Sequence, residues 1–224
     1  MAIRGAKRQL LFEPGTRWDY SNIGFDILGR IIEVVSGQSF DRFLSERIFG
    51  PLGMKDTYFF VPAEKQQRIA ALYEYGDGKL TRVSSDEGTE RAKLPSPAGG
   101  LVSTAADMLR FNEMMRNKGT VEGRRILSRA AVELMTMSHT GDMKAGWVPG
   151  VGHGFGYEVV RGPAGMFRYN SIGSYVKGGA YRTYEWVDPE KDLVGVILMQ
   201  RRNGGDVADE INSFMAMSAA SIAR

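Results

Sequence analysis

The 224-residue sequence contains no cysteine. That excludes disulfide frameworks, thiolate metal sites and a cysteine nucleophile together. Histidine is nearly absent too. His139 and His153 are the only two, too few for a multi-histidine metal centre and poorly suited to a Ser-His-Asp triad. A hydrolase built from this sequence is therefore expected to use a base other than imidazole, with no metal and no cofactor. No apolar run approaches the length of a membrane span, and the first twenty residues, MAIRGAKRQLLFEPGTRWDY, lack an apolar stretch of signal-peptide length. The expectation is a cytoplasmic protein without a membrane partner. Neither sign of charge dominates. Lysine and arginine number 29 against 26 acidic residues, a net +3, and the signs alternate, as at Asp41-Arg42 and Glu46-Arg47. Arg4, Lys7 and Arg8 read as a solvated chain end, so no nucleic-acid partner is expected.

What is present is ordinary globular material, 43% hydrophobic and 25% charged. The length fits one domain over 1–224, with a mainly helical part over about 20–150 and strands with a closing helix over about 151–224. The 12 methionines read as core filler.

Periodicity divides the chain. Leu28, Ile31, Ile32 and Val35 follow the i, i+3, i+4, i+7 spacing of a helix face, and Gly37 offers its stop. A second helix is expected from about Ser39 to Ile48, closed by Gly50-Pro51 and packed on the first as a hairpin. Residues 63–97 read as loop and short hairpin. Ser103 or Thr104 caps a helix running through Met108, Leu109, Phe111 and Met114, and another spans about Ser128 to Met137, with turns at 117–119 and 122–123 between them. From Gly152 the pattern changes to strands: Gly154–Val160, Phe167–Tyr169, Ala180–Val187 and the apolar run Leu193–Met199. A helix over about Asp206–Ile222 closes the chain. Helices, then consecutive strands, then a helix predict an α+β fold, an antiparallel sheet flanked by helices beside a helical subdomain.

Three stretches carry chemistry. Pro14-Gly15-Thr16 is followed by Tyr20-Ser21-Asn22. Gly99-Gly100-Leu101-Val102-Ser103-Thr104 runs into a helix. Lys177-Gly178-Gly179 is followed by Trp186-Val187-Asp188-Pro189. A tyrosine beside an ammonium group can take a proton from a serine hydroxyl without help from histidine. Asn22 can orient a carbonyl, Lys177 can hold a carboxylate or support the tyrosine, and Gly178 and Gly179 let main-chain N–H groups approach an acyl oxygen. Each residue also has a plainer reading: Tyr20 as a packing aromatic, Lys177 as a solvated lysine, His153 as a loop residue, Ser103 as a helix cap.

In this order and spacing, the three stretches resemble the serine β-lactamase, penicillin-binding-protein and carboxylesterase superfamily, especially its class C and esterase branches, from about Leu10 to the C-terminus. The resemblance implies an acyl-serine hydrolase of small esters, with β-lactams or D-peptides as other substrates. Tyr20 matches the Y-x-N element that supplies the base, and Lys177-Gly178-Gly179 matches the K-T-G element, which esterases write as W-G-G or H-G-G. The family carries its nucleophile in an S-x-x-K helix upstream of Y-x-N. No serine precedes Tyr20, so the fold is expected to be N-terminally incomplete. A literal S-x-x-K occurs at Ser174-Tyr175-Val176-Lys177, in an expected strand where residues three apart face opposite sides. It is either a recruited nucleophile pair or a chance overlap. A catalytically inactive module that pairs with another chain, or a homodimer formed through an uncovered sheet edge, is the alternative.

Overall fold

The computed structural model describes residues 9–85, 94–162, 164–202 and 208–222. Helix α1 (Asn22–Ser36) starts where the Ser21 hydroxyl accepts the Gly24 N–H at 3.1 Å, and ends at Gly37 in the left-handed region, φ 70°. The spacing of its apolar residues is helical as expected. Even so, Leu28, Ile31 and Val35 remain 56, 51 and 82% exposed, and Gly29 is its only fully buried residue. Periodicity identified the helix but not a face covered by described residues.

The second helix overruns its expected stop. Helix α2 (Phe40–Leu44) passes through a π-helical turn (Ser45–Phe49) into α3 (Gly50–Leu52). The Gly50 N–H bonds back to the Ser45 carbonyl, and Pro51, which lacks an N–H, begins the last turn, where none is required. Gly53, at φ 68°, ends it instead. The Glu33 carboxylate accepts the Phe40 N–H at 3.2 Å and ties α2 to α1.

Strands β1 (Leu72–Gly76) and β2 (Lys79–Val83) form the expected hairpin. A short strand near the C-terminus, β10 (Arg201–Arg202), joins β1 in parallel, Tyr73 opposite Arg201, which no local pattern announced. Thr104 caps α4 (Ala105–Arg116), its hydroxyl accepting the Asp107 N–H at 3.2 Å. A two-residue hairpin, β3 (Thr120–Val121) with β4 (Arg124–Arg125), leads to α5 (Arg129–Thr136), capped by Ser128.

The main sheet is an antiparallel meander of β5 (Val151–His153), β6 (Glu158–Val160), β7 (Tyr175–Gly178), β8 (Tyr184–Asp188) and β9 (Leu193–Ile197), in that order. Three expected strands are corrected here. Ala180–Val187 shortens to β8, because 180–183 form the turn that joins it to β7. Gly154–Val160 is not one strand but the turn and second arm of the β5–β6 hairpin, since the Gly154 N–H bonds the Tyr157 carbonyl at 2.8 Å. Phe167–Tyr169 falls at a 3-10 turn (Gly165–Phe167) that drives the Phe167 ring fully into the core. A lone buried phenylalanine beside exposed Arg168 and Tyr169 is not an alternating strand.

Alternation along the strands makes two cores. Val159, Tyr175 and Val187 join Met114 and Met115 of α4, Val132 of α5, and Phe49, Leu52 and Met54. Val160, Val176 and Trp186 face the other way and meet Phe167 together with Ile211 and Met215 of α6 (Ala208–Ala220). The antiparallel sheet flanked by helices is thus as the sequence predicts. The start of the expected last helix, residues 206–207, lies outside the described residues. Among the described residues, no helix is long and apolar enough to cross a membrane.

Candidate active site

The site lies where the segment before α1 meets the end of β7. Tyr20 immediately precedes the Ser21 cap, so the hydrogen bond that starts α1 also fixes where the phenol leaves the backbone. Lys177 arrives from the middle of the sheet. Its Nζ sits 5.1 Å from the centroid of the Tyr20 ring and 5.7 Å from that of Phe25, on the first turn of α1. Ammonium over ring faces at this range is a cation–π contact. The two rings are 5.8 Å apart.

Around this pair stands an aromatic wall. Trp147 packs on Tyr20 at 5.2 Å and edge-on to Trp18 at 5.6 Å, while Trp18 lies 4.9 Å from the His153 ring. Trp147 is 64% exposed, so the wall borders open solvent. His153 is half-buried, and its Nε2 has no hydrogen-bond partner among the described residues. Burial, and to a lesser degree the Lys177 ammonium, hold its imidazole below the usual range, in the neutral form.

Two carboxylates on the neighbouring strands act on Lys177 through their charge. Glu185 on β8 is its register partner. Burial pushes the Glu185 carboxyl up to about 7, against the opposing pull of the Asn112 hydrogen bond (Nδ2 to Oε2, 2.8 Å) and of Lys177. Glu158 on β6, opposite Val176 and so on the other face of the sheet, is also raised by burial, with the Trp147 main-chain N–H and the Lys177 charge pulling the other way. Burial lowers Lys177 below the ordinary lysine value, and the charges of Glu158 and Glu185 offset part of that.

Of the residues named from sequence, Tyr20 and Lys177 meet. Asn22 opens α1 next to them, exposed at the helix N-terminus. Gly178 continues β7, whose pairing with β6 stops at Glu158 opposite Val176. Ladder alternation then directs the Gly178 N–H toward the side on which β6 has ended. Gly179 is different. Its N–H is taken by the Thr183 carbonyl at 2.9 Å, and a Cβ there would fall 2.2 Å from the Thr183 hydroxyl, so the tight β7–β8 connection accounts for this glycine.

Ser174 is not brought to the site. It is 0% exposed, its Oγ has no partner among the described residues, and it lies three residues before Lys177, outside the strand. With the reacting oxygen sealed in the interior, Ser174 cannot serve as the nucleophile in this conformation. The Gly99–Thr104 stretch is structural: Val102 bridges Tyr58 through two 2.8 Å hydrogen bonds, and Ser103 meets Thr57 at 2.8 Å. Sequence reasoning missed Phe25, Trp147, Glu158 and Glu185. The only available signal was a charged residue between two aromatics, Tyr184-Glu185-Trp186, within an expected buried strand. Among the described residues, no three of His, Asp and Glu gather closely enough to hold a metal ion.

Comparison with known proteins decides the family. The sequence profile of the family described as Beta-lactamase matches residues 1–219. The chain belongs to the β-lactamase family. Protein Rv1367c of Mycobacterium tuberculosis is 34% identical over 204 residues, which cover 85% of this chain and 50% of the relative. Lovastatin esterase of Penicillium rubens is 32% identical over 139 residues, covering 59% of this chain and 33% of that protein. The solved structure of EstCE1, a hydrolase with promiscuous acyltransferase activity, superposes with a TM-score of 0.78 at 23% identity, covering 94% of this chain and 59% of that one. This β-lactamase-family chain thus spans half the length of the first relative and less of the second, and the likeness to EstCE1 is one of fold. Membership in the family makes it a serine-hydrolase-type protein by resemblance.

Proposed function

We propose that the chain carries the base and binding groups of a serine acyl hydrolase that cleaves small esters through an acyl-serine intermediate. The observation supporting this reading is the Lys177 ammonium against the Tyr20 ring at the end of β7. A serine oxygen attacks the ester carbonyl and Tyr20 takes its proton. The carbonyl electrons collapse back, the C–O bond to the alcohol breaks, and the alkoxide leaves with that proton. Water then attacks the acyl-serine, giving a proton to the same phenolate, which returns it to the serine as the acid departs. Main-chain N–H groups at the Gly178 end of β7 stabilise the oxyanion in both halves. Lys177 keeps positive charge beside the phenol, Asn22 orients the substrate carbonyl, and the Trp18–Trp147 wall receives the apolar part of the ester. Lovastatin esterase among the relatives supports esters as the substrate class. Among the described residues, no serine hydroxyl contacts Tyr20 or Lys177, so the nucleophile has to be located chemically.

The test combines p-nitrophenyl butyrate turnover with fluorophosphonate labelling and peptide mapping. Turnover with one labelled serine, both lost in Tyr20→Phe, is the expected result. Neither turnover nor label on folded protein would sink the proposal.

One observation favours a second reading, a catalytically inactive module that binds another chain, including a second copy of itself. Leu28, Ile31, Val34 and Val35 on α1 are all more than half exposed, an apolar patch of the kind that marks association. Light scattering reading a monomer at all accessible concentrations would count against self-association.

A further inference from the structure

We infer that Trp18 and Trp147 form a subsite for an aromatic ring in the alcohol part of the ester, which makes benzyl-type esters the favoured substrate class. This rests on the proposed hydrolytic site and narrows its substrate. Trp147 is 64% exposed, a costly place for so large an apolar side chain. Its loop is nevertheless held firmly. Ala145 is buried, and Gly146, at φ 74°, runs so close to β5 that a Cβ would fall 2.5 Å from Val151 Cγ2. At the other end, a Cβ on Gly150, at φ 84°, would fall 2.4 Å from the Gly162 carbonyl oxygen. The Gly150 carbonyl accepts the Arg161 N–H at 2.8 Å and the Gly162 N–H at 3.1 Å. Between the two glycines the Trp147 main-chain N–H donates to the Glu158 carboxylate. A loop pinned at three points presents its indole to solvent because the fold puts it there.

The rings beside it are backed as well. Trp18 lies 4.9 Å from the His153 ring, and the His153 backbone is tied on both sides, its N–H to Thr140 Oγ1 at 3.2 Å and its carbonyl to the His139 N–H at 2.8 Å. Tyr20 packs on Phe25 at 5.8 Å. Trp147 stands at 88° to Trp18, with centroids 5.6 Å apart, and at 54° to Tyr20. Two indole planes at a right angle make a corner. A flat ring laid on one of them turns its edge to the other, so it gains an offset stack and an edge-to-face contact together. A saturated ring of the same size gains only buried area. The corner therefore selects aromatic rings.

Tyr20 decides which half of the ester enters that corner. Its phenol takes the serine proton and hands it to the alkoxide as the C–O bond to the alcohol breaks, so the alcohol departs from beside the phenol. Trp147 packs on that phenol ring at 5.2 Å. The acyl carbon stays on the serine until water removes it. A benzyl ester thus gives benzyl alcohol, carrying the transferred proton, in the first half of the reaction and the free acid in the second.

A matched pair of substrates tests this. Benzyl acetate and cyclohexylmethyl acetate share an acyl group and both release a primary alcohol, but only one ring is aromatic. The wild type should cleave the benzyl ester with kcat/KM about fivefold higher. Trp147→Leu should bring the ratio close to one, and Trp147→Phe should keep part of it. Equal rates on the two esters, or a preference that survives Trp147→Leu, would overturn the subsite and leave the hydrolase standing. A second measurement needs no turnover. The sequence has three tryptophans, and Trp186 is buried in the core, so the 1H–15N spectrum carries three indole signals, assigned by substitution. Benzyl alcohol should shift the Trp18 and Trp147 signals saturably, more than cyclohexylmethanol at equal concentration, and leave Trp186 in place. An unmoved Trp186 signal also verifies that each variant is folded. Saturable shifts in a protein that cleaves no ester would uphold the corner while defeating the hydrolase proposal. Shifts that are absent, or equal for the two alcohols, would overturn the corner.

Discussion

The Lys177 ammonium lies 5.1 Å from the centre of the Tyr20 ring, meeting the phenol over its face rather than at its hydroxyl. Contact with the face leaves the hydroxyl free to hydrogen-bond something else, and a base that must take a proton needs that freedom. The same contact holds the ring in place through its quadrupole, so position and proton transfer reside in different parts of one side chain.

That separation yields a clean substitution. Tyr20→Phe keeps the ring, the Lys177 contact and the packing on Trp147 and Phe25, and removes only the oxygen. Stability should change by less than about 0.5 kcal/mol, while kcat/KM for p-nitrophenyl butyrate should fall at least about 100-fold, the scale of lost general-base catalysis. Stopped-flow or plate kinetics beside a thermal melt would read both.

Lys177→Trp separates the lysine's two duties. Tryptophan stands in this position in the W-G-G form of esterase relatives, and it can pack against Tyr20 and Phe25 without a charge. Hydrolysis of neutral esters should persist within about tenfold. KM for a substrate bearing a free carboxylate should rise by about tenfold or more, the scale of one lost charge-assisted contact. Paired KM measurements on a neutral ester and its carboxylate analogue check this. Equal losses on both would mean that Lys177 does not read substrate charge.

Much of the fold was legible because it depends on local rules. The Thr104 cap, the Gly37 stop and the apolar β9 run each follow from a few neighbouring residues. Gly50-Pro51 misled because a proline beginning a helical turn looks, in sequence, like one ending a helix. The β1–β10 pairing joins distant segments and leaves no local trace. The site divided in the same way. Tyr20 and Lys177 could be read as residue types within motifs, but Glu185 acquires meaning only through its register with Lys177, which the length of the β7–β8 turn fixes. The S-x-x-K letters at 174–177 misdirected because the spacing is meaningful on a helix, whereas here a buried loop position leads into a strand.

Ser174→Ala tests that last point. Its hydroxyl is sealed in and unpartnered among the described residues, so its removal relieves a desolvated polar group. The melting temperature should hold or rise slightly, corresponding to about 0–1 kcal/mol, and any ester hydrolysis should continue at the wild-type rate. Loss of turnover would return Ser174 to the mechanism.

Gly195 lies on β9 opposite Trp186, and a Cβ there would come within 2.1–2.3 Å of three indole atoms. Trp186 is 2% exposed and packs edge-on to Phe214, so its ring has little room to retreat. Gly195→Ala should cost about 1–3 kcal/mol through overpacking, read as a lower urea midpoint at unchanged slope. A variant as stable as the wild type would mean that the Trp186 ring is not fixed against β9.

Glu185 sets a pH dependence of stability whose sign is unusual for a carboxylate. Its ordinary value of 4.5 is raised to about 7 in the folded chain, so between those values the folded protein holds a proton that the unfolded chain has released. Stability is therefore greatest below about pH 4.5 as far as this group is concerned, declines as pH rises through the window, and levels off above about 7, a total of at most about 3 kcal/mol. Glu185→Gln cannot ionise, keeps an acceptor for Asn112, and should erase that decline, leaving the variant less sensitive than the wild type between pH 5 and 8. Urea unfolding at half-unit intervals across that range measures it. Parallel curves for the two proteins would show that Glu185 is already ionised at pH 5, and that the interior of the sheet tolerates its charge.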